Sequence, residues 1–260
     1  MIVGGLDIGS ATGKAVIMKD GAVVGTAVHR STAHPTETAT LVMNEALAQA
    51  GLDSPEHLDN VMCTGYGRLK IGFAAENLSE ISCHAKGAHW MVPSIRTVVD
   101  VGGQDCKVIS LTEKGTVLEF KMNDRCAAGT GRFFEGMARA LCCGLDGISS
   151  LEKQGDEPCT ISNQCSVFAE SEVVTLVNDG VPLENIIAGI NYSVASRLSS
   201  MARRVGVVND VAVTGGCSKN HGLAAALEKK LDVQIVRLPQ DPQVAGALGA
   251  ALAAAEKLEA

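Results

Sequence analysis

Aromatic side chains are scarce in this 260-residue sequence, at 3% of the total, with one tryptophan and two tyrosines. A recognition surface built of bulky rings is thereby disfavoured. The 28 glycines point instead to tight turns and close backbone approaches. Positive charge is also in deficit: 22 Lys and Arg against 29 Asp and Glu leave a net charge of −7. With no basic cluster to offset that balance, nucleic acid is not an expected partner. Nor is a membrane, because the longest apolar run, Val244 to Ala255, is short and rich in Ala and Gly. Met1 to Leu6 carries no charged leader and reads as a strand, so a cytoplasmic location is expected. Nine cysteines, an odd number without disulfide rhythm, are then expected as reduced thiols, and any special ones as metal ligands rather than bridges. Two nucleotide fingerprints are missing as well. There is no Gly-x-x-x-x-Gly-Lys-Ser/Thr segment, and Gly129-Thr130-Gly131 lacks the third glycine of a dinucleotide turn.

What is present is an ordinary globular balance, 46% hydrophobic and 20% charged, long enough for one large domain or two moderate ones. The sequence predicts strands over 3–7, 14–19 and 22–28, with turns at Gly9 to Gly13 and at Asp20-Gly21. A helix over 36–50 follows, entered by Pro35 and stopped by Gly51, and then a strand over 60–64. Near residue 96 the order begins again: strands over 97–100, 106–111 and 116–122, separated by Gly102-Gly103-Gln104-Asp105 and Glu113-Lys114-Gly115. Superposing Asp7 on Asp100 puts Gly9 on Gly102 and Lys14 on Lys107 without a gap, so Asp-x-Gly-x-x-x-x-Lys opens each of two halves. Late in the chain a strand over 210–213 runs into Thr214-Gly215-Gly216. A helix over 223–231, a strand over 234–238 and a last helix over 244–258 complete the reading.

The repeat has a chemical reading. A nucleoside triphosphate needs backbone N–H donors close to its oxygens, which Gly9, Gly102 and Gly103 permit. It also needs carboxylates for Mg²⁺, held largely through the ion's waters. Asp7 and Asp100, each at a strand end beside such a turn, fit that role. Ser10, Thr12 and Lys14 would meet phosphate oxygens from one side and Gln104 from the other. Read alone, one Asp-x-Gly is better explained by a hairpin turn; two copies in register, with Thr214-Gly215-Gly216 downstream, reverse that balance toward the phosphate reading. At these residues the chain resembles the actin-like ATPase superfamily of sugar kinases, acetate kinase and actin. The resemblance implies an α/β fold of two related actin/hexokinase-like (ribonuclease H-like) domains with nucleotide between them. It makes Gly215-Gly216 the adenosine motif. The expected division is 1–95, completed by a C-terminal helix over 244–260, and 96–243.

Two cysteines stand apart. Cys126 lies in Arg125-Cys126-Ala127-Ala128-Gly129-Thr130-Gly131-Arg132-Phe133, and Cys165 in Gln164-Cys165-Ser166-Val167-Phe168-Ala169-Glu170. Each precedes a predicted helix, where N–H groups and the positive end of the dipole favour negative charge. By spacing alone ordinary thiols are the better explanation. The surrounding segments, together with Val99-Asp100-Val101-Gly102-Gly103-Gln104-Asp105, Thr64-Gly65-Tyr66-Gly67-Arg68 and Ser82-Cys83-His84-Ala85, are similar to the activators of 2-hydroxyacyl-CoA dehydratases and the ATPase subunits of benzoyl-CoA reductase. The likeness runs nearly end to end, from Gly5 to Gly249.

That resemblance implies a homodimeric ATPase with one [4Fe–4S] cluster between subunits, Cys126 and Cys165 being the matching ligands, since two thiolates per chain make half a cubane's set. It implies ATP hydrolysis to ADP coupled to one-electron transfer toward an iron–sulfur dehydratase or acyl-CoA reductase component, with a ferredoxin or flavodoxin as donor. The competing readings are a cluster-free small-molecule kinase of the same superfamily and an actin-like assembling protein. Cys63 and Cys106 read as core residues. Cys83, Cys142, Cys143, Cys159 and Cys217 receive no ligand role, and His84 and His89 lack the spacing of metal ligands.

Overall fold

The computed structural model describes residues 1–260, the side chain of Leu151 apart. Apolar runs and tight turns build the first sheet. β1 (Ile2–Ile8) and β2 (Thr12–Lys19) pair antiparallel, and Asp20-Gly21, both with positive φ, turns the chain into β3 (Ala22–Arg30). α1 (Pro35–Gln49), opened by a proline that needs no N–H there, buries Val42, Met43, Ala46 and Leu47. β4 (Asn60–Thr64) then joins β1 in parallel, and β5 (Glu76–Asn77) completes a sheet of order β3-β2-β1-β4-β5.

After α2 (Glu80–Met91) the pattern recurs. β6 (Thr97–Val101), β7 (Cys106–Leu111) and β8 (Val117–Asn123) form the second meander. β9 (Val211–Thr214) adds in parallel, giving the order β8-β7-β6-β9. Between β8 and β9, where the first half has α1 alone, lie four helices: α3 (Gly131–Ala140), α4 (Leu145–Ser149), α5 (Ser166–Asn178) and α6 (Leu183–Val205). α7 (His221–Leu231) and α8 (Ala245–Glu259) end the chain.

Register shows the repeat more fully than the sequence does. Asp7 pairs across with Lys14 in β2 and with Thr64 in β4; Asp100 pairs with Lys107 in β7 and with Thr214 in β9. Each threonine is followed by a glycine with positive φ, Gly65 at +94° and Gly215 at +81°. At either glycine a Cβ would crowd a carboxylate oxygen, 2.6 Å from Asp7 Oδ1 and 2.7 Å from Asp100 Oδ1. Thr-Gly thus closes both half-sites, and the unequal connections hide its equivalence in the sequence.

Three helices go beyond the expected elements, the short α4 and two longer ones. α2 joins the two sheets, and α6 lies against the second with Ile186, Ile190, Val194 and Leu198 on one buried stripe. Each such side chain contributes roughly 1.5–3 kcal/mol of burial. The expected strand over 234–238 is instead one parallel bridge, Val211 to Ile235, because β9 is only four residues long and offers little edge to pair with. α8 packs on β1, β4 and α2. Its small residues permit contact between backbones: a side chain on Gly249 would overlap the Cys83 carbonyl of α2. Among the described residues no helix is long and apolar enough to cross a membrane.

Candidate nucleotide cleft and cysteine pair

The turns after β1 and β6 are built alike. Gly9 N donates to Thr12 O at 3.0 Å, and Gly102 N donates to Asp105 O at 3.0 Å. They meet across a cavity of about 660 Å³ lined from both sheets, a size suited to a nucleotide. Gly103 comes so close to the other turn that a Cβ there would sit 2.5 Å from Ala11 Cβ. Every residue expected to bind nucleotide lines this cavity: Asp7, Gly9, Ser10, Thr12, Lys14, Asp100, Gly102, Gly103, Gln104, Gly215 and Gly216. Gln104 is exposed at its mouth.

The two Asp–Lys pairs are not chemically equivalent. Lys14 Nζ lies 3.1 Å from Asp7 Oδ2, its one carboxylate among the described residues. Lys107, 2% exposed, is held by Asp100 at 3.2 Å, Asp105 at 2.7 Å and Glu80 at 2.8 Å. Burial works to lower the Lys107 pKa, but the three carboxylates outweigh it and hold the pKa well above the usual lysine range. Burial likewise works against Asp100 ionising, yet His84 and Lys107 hold its carboxyl down at about 2. Both Asp100 oxygens are engaged, Oδ2 by Lys107 and Oδ1 by the Thr214 hydroxyl at 3.1 Å and His84 Nδ1 at 3.3 Å. Lys14 therefore has one carboxylate partner where Lys107 has three, and Lys107 is a structural cation.

Several wall residues carry no role in the sequence reading. Glu80 and His84 project from α2, and Gln243 Nε2 lies 3.3 Å from Thr12 Oγ1. Their signal was weak: α2 is not apparent by periodicity, and Gln243 arrives on a short turn begun by Asp241 and Pro242.

The loops that carry the two expected cluster ligands lie side by side. Cys126 Sγ lies 3.5 Å from Gln164 O, which brings the two cysteine loops together, and both cysteines are half-buried. Asn123 Nδ2 donates to Cys126 O at 2.9 Å, and Arg197 from α6 donates to Asn163 O at 2.7 Å. Cys165 is the N-cap residue of α5, as the helix-start reading requires. Cys126 is not at a helix start; it sits in a loop, with Thr130 as the N-cap of α3, so the dipole argument applies to Cys165 alone. Val167 and Phe168 beside it are 66% and 67% exposed.

The remaining thiols differ in setting. Burial raises Cys63 above the ordinary thiol range, Cys83 to about 12, Cys106 to about 11 and Cys217 to about 12. Among the described residues no three His, Cys, Asp or Glu side chains group to hold a metal. Two thiols at a surface with exposed apolar neighbours fit half of a cluster's ligand set, and a second copy of the same surface would supply the other half.

Two meanders of one design, closing on a nucleotide-sized cleft with matched Asp, Lys and Gly-bearing turns, define an ATPase of the actin/hexokinase-like fold. The chain belongs to the BadF/BadG/BcrA/BcrD ATPase family, which matches residues 5–254. It is 45% identical over 252 residues to the activator of lactoyl-CoA dehydratase of Anaerotignum propionicum, covering 97% of this chain and 96% of that one. Among solved structures it is similar to component A of the Acidaminococcus fermentans (R)-2-hydroxyglutaryl-CoA dehydratase, with 42% identity, a TM-score of 0.95 and full coverage of both chains. The activator of the 2-hydroxyisocaproyl-CoA dehydratase from Clostridium difficile, solved with bound ADPNP, superposes with a TM-score of 0.93 at 40% identity, covering 100% of this chain and 96% of the other. Below 25% identity, a hexokinase of Thermus thermophilus at 15% identity and a TM-score of 0.53 shares the fold alone.

Proposed function

We propose that this ATPase is the reductive activator of a 2-hydroxyacyl-CoA dehydratase or a related acyl-CoA reductase component. It works as a homodimer that takes electrons from a ferredoxin or flavodoxin in the cytoplasm. The names of the relatives support activation over the kinase reading. Residues 1–95 with 244–260, and residues 96–243, are the two bodies that close on nucleotide. Asp7 and Asp100 hold Mg²⁺ through its waters, with Asp7 the freer of the two. Lys14, Ser10, Thr12 and Gln104 meet phosphates along with the N–H groups around Gly9, Gly102 and Gly103. Gly215-Gly216 lies against the adenosine.

Cys126 and Cys165 of each subunit would together ligate one [4Fe–4S] cluster at the dimer axis, capped by Val167 and Phe168. That cluster, when bound, supplies a low-potential one-electron carrier.

The observation that carries the coupling is a pair of backbone hydrogen bonds. Gly131 N donates to Gly102 O and Arg132 N to Gly103 O, each at 2.9 Å. The start of α3 is thus tied to the phosphate turn, and α3 begins a few residues after Cys126. Movement of the turn on nucleotide binding or hydrolysis is delivered through those bonds to the loop bearing Cys126. β8 gives a second rigid route, running from the β7 hairpin directly into the same loop. Changing the position of that loop changes the distance and solvent exposure of a redox centre held there, both of which govern electron delivery.

Anaerobically purified, reconstituted protein should contain about four iron and four sulfide per dimer. Cys126→Ser and Cys165→Ser should each abolish that content and ATP-dependent dehydratase activation while leaving nucleotide binding intact. Iron-free wild type after careful reconstitution, or a full cluster in either variant, overturns the reading.

A further inference from the structure

Beside the cysteine loops lies a half-buried cation without a counter-charge. Arg197 projects from α6, which packs on β7, β8 and α5. Its Nη1 donates at 2.7 Å to the carbonyl of Asn163, two residues before Cys165. Its Cδ lies against Gly129, three residues after Cys126, where a Cβ would stand only 2.9 Å away. One guanidinium side chain therefore touches both cysteine loops. The helix that carries it is anchored in the core by Ile190, Val194 and Leu198, so the contact is made from a fixed base.

What this guanidinium lacks is an anion. Its Nε is shut off from solvent and has no hydrogen-bond partner among the described residues. No carboxylate pairs with it either: among the described residues the one arginine in an ion pair is Arg132. A cation withdrawn from water is unfavourable unless negative charge or enough acceptors compensate it. A guanidinium cannot escape that cost by giving up its proton. Its field also reaches the ligand loop. Burial raises the Cys106 thiol to about 11, and the Asn123 amide and then Arg197 work against the rise. The same amide donates to Cys126 O and Ala128 O. Negative charge is thus wanted where the loops of Cys126 and Cys165 meet.

Resting on the cluster reading above, we propose that Arg197 is the positioning residue and counter-charge of the [4Fe–4S] cluster, holding the two cysteine loops together and favouring the reduced state. Four thiolates leave such a cluster net negative, and net charge is one of the determinants of its potential. In the step, one electron leaves the reduced donor, a ferredoxin or flavodoxin, for the cluster. The donor is oxidised, no bond forms or breaks and no proton moves. The guanidinium meets the negative charge that the electron adds.

Two variants separate charge from shape. Arg197→Lys keeps the charge and loses the planar fork; Arg197→Gln keeps a donor and loses the charge. Both are read on the full-length protein by redox titration of the reconstituted cluster, by iron content, and by thermal melting with and without the cluster. The one-electron equilibrium should stay within about threefold of wild type in Arg197→Lys and fall about tenfold in Arg197→Gln, a midpoint about 59 mV more negative. Cluster-free Arg197→Gln should melt at or above the wild-type temperature, because an uncompensated charge has gone, and should gain less on loading. An unchanged midpoint in Arg197→Gln, or an equal shift in both variants, overturns the proposal. Should Arg197→Gln fail to load, the cluster-free protein decides. Melting well below wild type makes Arg197 a structural fork and overturns the proposal; wild-type melting, with Arg197→Lys still loading, supports the counter-charge. Wild type that takes up no iron refutes the cluster reading itself, whereas a loaded wild type whose midpoint ignores the charge at 197 refutes this inference alone.

Discussion

Arg132 occupies the second position of α3, and its N–H is one of the two donors that tie the helix to the phosphate turn. Replacing it with proline deletes that donor and little else. The first turn of a helix tolerates proline, and the residue ahead of it, Gly131, has no Cβ to clash with the ring. The lost hydrogen bond costs about 1 kcal/mol, and the stiffer unfolded chain returns about 0.5 kcal/mol. The Arg132–Glu135 pair, 2.8 Å long but with the arginine half exposed, adds no more than about 0.5 kcal/mol. Arg132→Pro should therefore fold, with a melting temperature within a few degrees of wild type. The coupling should not survive so well: losing about 1 kcal/mol of linkage corresponds to about a fivefold smaller response. The assay is the rate at which an iron chelator removes the cluster, compared in ATP and in ADP. Wild type should show a nucleotide-dependent difference, and Arg132→Pro one about fivefold smaller with hydrolysis retained. Arg132→Ala keeps the N–H and loses only the ion pair, so it should behave as wild type. Identical responses in the proline and alanine variants would refute the mechanical link.

The two lysines should part company. Lys14→Met should fold and bind ATP at least tenfold more weakly in an equilibrium titration. Lys107→Met strands three carboxylates in or beside a buried site and should destabilise the fold by about 3–5 kcal/mol in urea unfolding. Equal stability of the two variants would refute the asymmetry. Acid should expose the same network. A carboxyl held at about 2 contributes stability that is complete above its ordinary value and disappears as pH falls through 2, here worth about 2 kcal/mol. Asp100→Asn should therefore flatten the decline in unfolding free energy between pH 4 and pH 2, and an unchanged slope would count against it. Gly249→Val, which drives a branched side chain into the Cys83 carbonyl, should lower stability by at least about 1–3 kcal/mol by thermal melting. A wild-type melting curve would show that the α2–α8 contact is looser than described.

The sequence by itself determined the local architecture. Alternating apolar runs and glycine turns specify both meanders, because period and turn chemistry act over a few residues. The spacing from Asp7 to Lys14, repeated from Asp100 to Lys107, is that of a hairpin whose ends face each other, so even the cross-strand pairs were implicit. Resemblance singled out Cys126 and Cys165. Tertiary structure alone decided which lysine is available, because Glu80 reaches Lys107 from another element and nothing local announces it. It also set Thr64-Gly65 equivalent to Thr214-Gly215, and it brought His84 and Gln243 into the cleft. It placed Cys126 in a loop tied to the phosphate turn, where a helix start was expected. Those outcomes depend on desolvation and on contacts between residues far apart in the chain. A side chain's charge, freedom and purpose there are set by what surrounds it, and periodicity carries no record of that.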